Sequence, residues 1–195
     1  AEKIWGKLCA KVENEKYYTQ QQALCRYKSE HPTKRKALTD ALGIMGKIEN
    51  QTDTETLGIL GAINKRLWEE MEDPSYLEAA IDAYKKGWNL HKDYYTGENY
   101  ANCLMRQEKI LEGDLRTHAK VEARLTFEEV VKIILASLEE DEPEELMWKY
   151  ATLANSYYAL GRREDGEKNE VLFKKQNPDA WQVQTFEKTK QMYVS

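Results

Sequence analysis

Hydrophobic residues recur three or four positions apart through most of the chain, which is the spacing of one face of an α-helix. One such stripe begins with Ile4, Leu8 and Val12, and a denser stripe follows Thr33. Each stripe leaves the opposite face polar, so each predicted helix buries one side only. The pattern therefore predicts an all-α protein in which helices succeed one another along the whole chain.

Short breaker segments mark where the predicted helices begin and end. The four prolines all fall at such boundaries: Pro32, Pro74, Pro143 and Pro178. Asp73 stands directly before Pro74, and an Asp cap followed by proline is typical of a helix start. The residues Thr-Phe-Glu-Glu from Thr126 have the form of a capping box, which predicts another helix start at that threonine.

The predicted helices form pairs, and two pairs share the pattern of a tetratricopeptide repeat, whose period is about 34 residues. In one pair, large, small and breaker residues take the repeat positions: Tyr150, Leu153, Ala154, Tyr157, Gly161, Gly166, Phe173 and Pro178. An earlier stretch, 54–92, fits the same scheme: Leu57, Leu60, Gly61, Ala80 and Tyr84. Glycine costs a helix interior about 0.5–1 kcal/mol relative to alanine, so we expect Gly58 and Gly61 to serve close helix packing. An irregular helical bundle is the alternative interpretation.

The favoured fold is a set of tetratricopeptide-like antiparallel helix pairs stacked as a short right-handed solenoid, since such pairs cannot close a core alone. We expect a single α-helical repeat domain over residues 1–195. Within it we expect N-terminal helices at 1–49, a central repeat pair at 50–112, and a C-terminal repeat with a capping helix at 113–195. The chain begins at Ala1 without a methionine, so we expect it to be a piece of a longer protein.

The central stretch resembles a known signature in the run TETLGILGAINKRLW, which extends from Thr54 to Trp68. The signature is that of the MAP3K TRAFs-binding domain, the helical-repeat region before the kinase domain of the apoptosis signal-regulating kinases, which also occurs in bacterial proteins. The likeness covers about Asn50 to Phe186. It implies a regulatory scaffold that binds adaptor proteins, positions neighbouring domains and has no catalytic residue of its own.

Composition and charge then narrow the function classes. The chain carries 29 Lys and Arg against 34 Asp and Glu, a formal net charge of −5, which argues against nucleic-acid binding. No apolar run approaches the roughly 18 residues of a membrane span. The three cysteines, Cys9, Cys25 and Cys103, are odd in number and have no short pairing. They indicate reduced thiols and hence a cytoplasmic protein.

Candidate chemistry is sparse. The histidines His31, His91 and His118 are far apart and have no second ligand at metal-binding spacing. Gly58 and Gly61 fall inside a predicted helix and lack the Lys-Ser/Thr of a phosphate-binding loop. The acidic run from Glu139 to Glu145 lacks the apolar surround that shifts the pKa of catalytic carboxylates. We therefore predict no catalytic residue, no metal and no cofactor.

Repeat geometry predicts where a partner would bind. In repeats of this type the first helix of each pair lines a concave groove, and residues one and four or five positions after its small residue face that groove. Counting from Gly61, Ala101 and Ala154 gives the groove candidates: Lys65, Arg66, Asn102, Arg106, Asn155 and Tyr158. Asn can hold a peptide backbone, and Arg and Lys pair with carboxylates.

The function we predict is a non-catalytic interaction scaffold in a signalling protein, which binds an acidic or extended peptide of a partner protein. The oligomeric state stays open. The alternative is a helical domain with small-ligand binding or enzymatic activity in a polar pocket, with Tyr95, Asn99 and Asn102 as the residues around it.

Overall fold

The computed structural model describes residues 2–9, 16–138 and 142–194, and these residues form helices joined by short loops, without a strand. Their bounds are α1 Glu2–Cys9, α2 Lys16–Lys28, α3 Lys34–Met45, α4 Thr54–Met71, α5 Pro74–His91, α6 Tyr94–Glu108, α7 Gly113–Ser137, α8 Pro143–Ala159, α9 Arg163–Lys175 and α10 Ala180–Val194. The predicted all-α class is confirmed. Val12, the side chains of Leu8 and Cys9, and residues 139–141 of the acidic run lie outside the described part.

Contacts between helices divide the chain into two compact units, Ala1–Lys92 and Asp93–Ser195. The predicted segment boundaries near residues 50 and 112 fall in the loops before α4 and before α7. The middle segment holds three helices, α4, α5 and α6. Whether the two units act as a single repeat domain stays a prediction.

The first unit is built on the antiparallel pair α4 and α5. Gly61 of α4 faces Tyr84 of α5 so closely that a Cβ at residue 61 would come within 2.5 Å of the tyrosine ring. This contact confirms the expectation that the glycine serves close packing. Apolar side chains of α2, α3 and α4 form the adjoining core: Ala23, Tyr27, Leu38, Ala41, Met45, Ile59, Ile63 and Leu67.

Aspartates at helix starts give the first unit its sharp turns. Asp53 accepts a hydrogen bond from the Thr56 amide at 2.9 Å and so caps α4. Asp73 caps α5 in the same way through the Ser75 amide, directly before the proline at the first helical position. Capping satisfies amide groups that have no partner within the helix. The predicted start at Asp73 is confirmed.

In the second unit α6 pairs with α7, α8 pairs with α9, and α10 packs on α8. The core beneath α10 is formed by small and aromatic side chains: Met147, Ala151, Ala154, Tyr158, Phe173 and Phe186. Trp181 at the start of α10 meets Trp148 near the start of α8, and Lys190 lies over Tyr158 near its end. The two helices therefore run in the same direction.

The capping box predicted at Thr126 is wrong. α7 runs without interruption from Gly113 to Ser137, and the Thr126 hydroxyl donates to the Glu122 carbonyl one turn earlier, at 2.8 Å. The helix starts instead at Gly113, which has a φ of 57°. The buried residues before Thr126 are the small Ala119 and Ala123, so the apolar stripe continues without large side chains to mark it.

None of the described helices is long and apolar enough to cross a membrane.

Candidate partner-binding surface

The two groove candidates of the first unit, Lys65 and Arg66, both lie on aromatic rings. The Lys65 ammonium is 5.9 Å from the centre of the Tyr84 ring on α5. The Arg66 guanidinium is 5.1 Å from the ring of Tyr27 on α2, and it donates to the Ala62 carbonyl at 3.0 Å. Such cation–π contacts contribute about 0.5–1 kcal/mol at exposed sites. Both cations are half-buried, so they are held in place while part of each charge faces solvent.

The position of Tyr27 beneath Arg66 affects the pKa of its phenol. Burial raises the pKa of its phenol, and the Arg66 charge lowers it to a smaller extent. The ring therefore stays neutral while the cation lies above it. Arg66 thus joins the candidate surface of the first unit to the core of that unit.

In the second unit the groove candidate Asn102 lies beneath the last turn of α10. Asn102 is buried, and its side-chain carbonyl oxygen accepts a hydrogen bond from the Tyr193 hydroxyl. The Tyr193 ring meets Phe127 of α7 edge-on, with 6.0 Å between ring centres. Burial and the Glu98 charge raise the pKa of Tyr193, against a lowering by the Arg106 charge. Tyr193 therefore stays a neutral donor.

The candidate on α8, Asn155, is 3% exposed, and its side-chain carbonyl oxygen has no hydrogen-bond partner among the described residues. One turn earlier on the same helix, the Thr152 hydroxyl donates to the Glu98 carboxylate of α6 at 2.7 Å. Residues three or four positions apart share a helix face. We therefore group Glu98 and Asn102 of α6 with Thr152 and Asn155 of α8 as one set of polar residues, the polar seam.

Tyr158, the remaining candidate on α8, is buried in the packing of α8, α9 and α10. Its ring lies on Gly166, where a Cβ would come within 2.6 Å, so the small residue predicted there does serve close packing. The Tyr158 hydroxyl donates to the Glu170 carboxylate at 2.6 Å. Burial and this hydrogen bond raise the pKa of Tyr158.

Glu170 joins these three helices. It accepts hydrogen bonds from Lys174 of its own helix at 2.6 Å and from Lys190 of α10 at 3.0 Å. Burial alone would raise the pKa of Glu170, but the hydrogen bonds from Lys174, Lys190 and Tyr158 outweigh it and lower the pKa to about 2. The carboxylate is therefore ionised at neutral pH and holds α10 against α9.

A cavity of about 460 Å³ opens beside Glu170, with side chains of α8, α9 and α10 along its walls. Its basic groups, Arg163, Lys174 and Lys190, are matched by Glu167 and Glu170. None of the residues named for the alternative polar pocket, Tyr95, Asn99 and Asn102, lines it. Among the described residues no three His, Cys, Asp or Glu side chains are placed to hold a metal ion.

The sequence did not single out Tyr193, Lys190 or Glu170. Tyr193 contacts a residue 91 positions earlier in the chain, and helical periodicity carries no information about such pairs. Glu170 and Lys174 are four positions apart, which is a signal for a pair on one helix. The spacing does not show that a third group, on α10, completes it.

Comparison with known proteins places the chain in a family of repeats. Neither a curated protein nor a solved structure matches it. A family profile described as Tetratricopeptide Repeats-Sensor, TPR-S, matches residues 1–104, which is just over half of the 195 residues. The match supports the predicted tetratricopeptide-like repeats, but it is to a different family from the MAP3K TRAFs-binding domain. Repeats of this type generally bind protein partners and are generally not enzymes. The chain belongs to the TPR-S, or tetratricopeptide repeats-sensor, family.

Proposed function

We propose that this chain is a non-catalytic interaction module whose first helices bind an extended segment of a partner protein. Such binding would be the sensing step that the family description names. The resemblance of the central run to the MAP3K TRAFs-binding domain supports a scaffold role in a cytoplasmic signalling protein. The odd number of cysteines, without a short pairing, also supports a cytoplasmic site of action.

The observation that carries this proposal is the buried side-chain carbonyl oxygen of Asn155, which has no hydrogen-bond partner in the part of the chain that the structure describes. A buried polar group without a hydrogen bond costs about 1–3 kcal/mol. Native proteins keep few such groups, and each calls for an explanation. A peptide backbone supplies N–H donors at regular spacing, and an Asn side chain can accept from one and donate to a neighbouring carbonyl. A bound peptide would therefore satisfy Asn155.

The cations complete the recognition chemistry. Lys65 and Arg66 in the first unit and Arg106 in the second each follow the small residue of a first helix by four or five positions. Basic side chains pair with carboxylates through charge-assisted hydrogen bonds. We therefore expect the partner segment to be acidic, although the net charge of this chain is itself −5.

The test is capture of partners from an extract of the source organism by the full chain. The test variant carries Lys65→Glu, Arg66→Glu and Arg106→Glu. A matched control carries Lys86→Glu, Lys120→Glu and Lys132→Glu, which change the net charge equally at exposed positions of the second helices. We expect the test variant to lose the captured protein and the control to retain it, with circular dichroism unchanged in both. Equal capture by both variants would refute the proposal.

A further inference from the structure

We propose that α10 is an internal ligand of the second unit, and that a partner must displace its last turns in order to bind. This inference rests on the proposed function, because it concerns the same surface. The Tyr193 hydroxyl of α10 donates a hydrogen bond to the side-chain carbonyl oxygen of Asn102. The Lys190 ammonium of α10 lies 5.5 Å from the centre of the Tyr158 ring. The Arg106 charge also acts on Tyr193. Two of the four groove candidates in this unit, Asn102 and Tyr158, therefore contact α10.

α10 has fewer buried residues than α8, the helix on which it packs. The buried residues of α10 are Gln182 and Phe186. Trp181 at its start is 58% exposed and Val194 at its end 48% exposed. A helix held at a few points opens at a lower free energy than the helix pairs on which it lies.

Each anchor of α10 is a specific contact. The Phe186 ring packs on Phe173 of α9, with 4.9 Å between ring centres. Lys190 pairs with Glu170 at 2.8 Å, and Tyr193 bonds Asn102. The three anchors place an aromatic residue, a cation and a hydroxyl along one helix face. A groove that binds a helical segment recognises features of this kind.

α10 does not donate a hydrogen bond to one acceptor of the polar seam, the side-chain carbonyl oxygen of Asn155. Tyr193 satisfies Asn102, whereas the Asn155 carbonyl oxygen keeps no partner among the described residues. A partner that bonds both asparagines gains an interaction that α10 does not make. This difference is what would let a partner compete with a segment that is tethered to the surface and therefore present at a high effective concentration.

The first experiment uses the full chain and a fluorescent synthetic peptide of residues 180–194 as the probe. The wild-type chain is compared with a Lys190→Ala/Tyr193→Ala variant, whose own α10 is weakened. We expect the peptide to bind the variant at least about tenfold more tightly than the wild type, because one hydrogen bond and one ion pair no longer hold the competing helix. A peptide with the same two substitutions should bind that variant about tenfold more weakly than the unsubstituted peptide does. No binding to the variant, or equal binding to both chains, would overturn the inference.

A second experiment uses a variant that changes less than the double substitution does, so that a folding defect does not decide the result. Tyr193→Phe removes only the hydroxyl, and hydrogen exchange is measured on the full chain without any peptide. Exchange at α10 amides should rise about fivefold, the ratio that one neutral hydrogen bond supplies, while α8 and α9 are unchanged. Tyr17→Phe, at an exposed residue of the first unit, is the control. If α10 exchanges only together with α8 and α9, it is part of the core and the inference fails. These results do not depend on partner capture, so failure here leaves the proposed function standing, and the reverse also holds.

Discussion

The ring of Tyr84 lies against the backbone of Gly61, so close that a Cβ at residue 61 would come within 2.5 Å of the ring carbon Cζ. This contact sets the separation of α4 and α5, the helix pair on which the first unit is built. It places Lys65, one turn further along α4, over the face of the same ring. Packing and the candidate surface are thus linked through one aromatic side chain.

Gly61→Ala should therefore destabilise the protein. Alanine improves helix propensity by about 1 kcal/mol, but forcing a methyl group into the buried Tyr84 ring costs about 1–3 kcal/mol. We expect a net loss of up to about 2 kcal/mol in urea denaturation. Gly43→Ala is the matched control, because nothing lies within 4 Å of a Cβ at that helix position. It should stabilise by about 0.5–1 kcal/mol. Similar losses for both variants would contradict the close contact.

Two isosteric substitutions distinguish a true helix cap from an apparent one. Thr33 caps α3 by accepting from the Lys36 amide at 3.2 Å, so Thr33→Val should cost about 1 kcal/mol. Thr126 lies in mid-helix and bonds only a carbonyl that the helix already uses. Thr126→Val should cost less than Thr33→Val, because that carbonyl already has a partner within the helix. A cost at residue 126 equal to that at residue 33 would mean that a helix does begin there.

Local signals in the sequence could predict part of the fold. Caps and breakers act within a few residues, so Asp73, Pro74 and Pro178 could be recognised from the chain alone. The close approaches at Gly61 and Gly166 could also be expected, because glycine inside a helix demands a packing reason. The continuity of α7 from Gly113 through Thr126 could not be predicted, since Ala119 and Ala123 bury a stripe that large residues do not mark.

The candidate surface was only partly predictable for a different reason. Repeat spacing identifies Asn102 and Asn155 as residues of first helices. It does not show that Tyr193 of α10 covers Asn102, because that contact joins residues 91 positions apart. It does not show either that Tyr158 points into the packing with α9. Side-chain direction depends on the neighbouring helix, and this is decided only when the pairs assemble.

Because of Glu170, the free energy of unfolding should depend on pH below the range in which a glutamate usually titrates. Its pKa is lowered to about 2 in the folded chain, against about 4.3 when unfolded. The stabilisation it supplies is complete above the unfolded pKa and is lost as the pH falls through the folded pKa. We expect Glu170→Gln to cost about 1.5–3 kcal/mol at pH 7. The difference from wild type should shrink between about pH 4.5 and 2.

The control for this prediction is Glu167→Gln on the same helix. Glu167 is 56% exposed and pairs with Arg163 at 2.9 Å, so its loss should cost less than about 0.5 kcal/mol. Thermal unfolding of the three chains from pH 7 to pH 2 provides the measurement. A Glu170→Gln difference that stays constant over this range would show that the carboxylate is not held in its charged form.

The most direct test of a partner-binding surface on the first helices is Asn155→Ala in the full chain. Removal of a buried acceptor without a partner should leave stability unchanged or raise it by up to about 1 kcal/mol. The neighbouring Ser156, whose hydroxyl is also buried without a hydrogen bond among the described residues, lies on a different face of α8. Ser156→Ala is therefore the matched control, and it should have the same effect on stability.

Capture of the partner by these two variants and by the wild type is the deciding measurement. If Asn155 binds the partner, Asn155→Ala should weaken capture by at least about fivefold, the ratio of one lost hydrogen bond, while Ser156→Ala captures as the wild type does. Undiminished capture by the Asn155→Ala chain would contradict the assignment of the binding surface to the first helices.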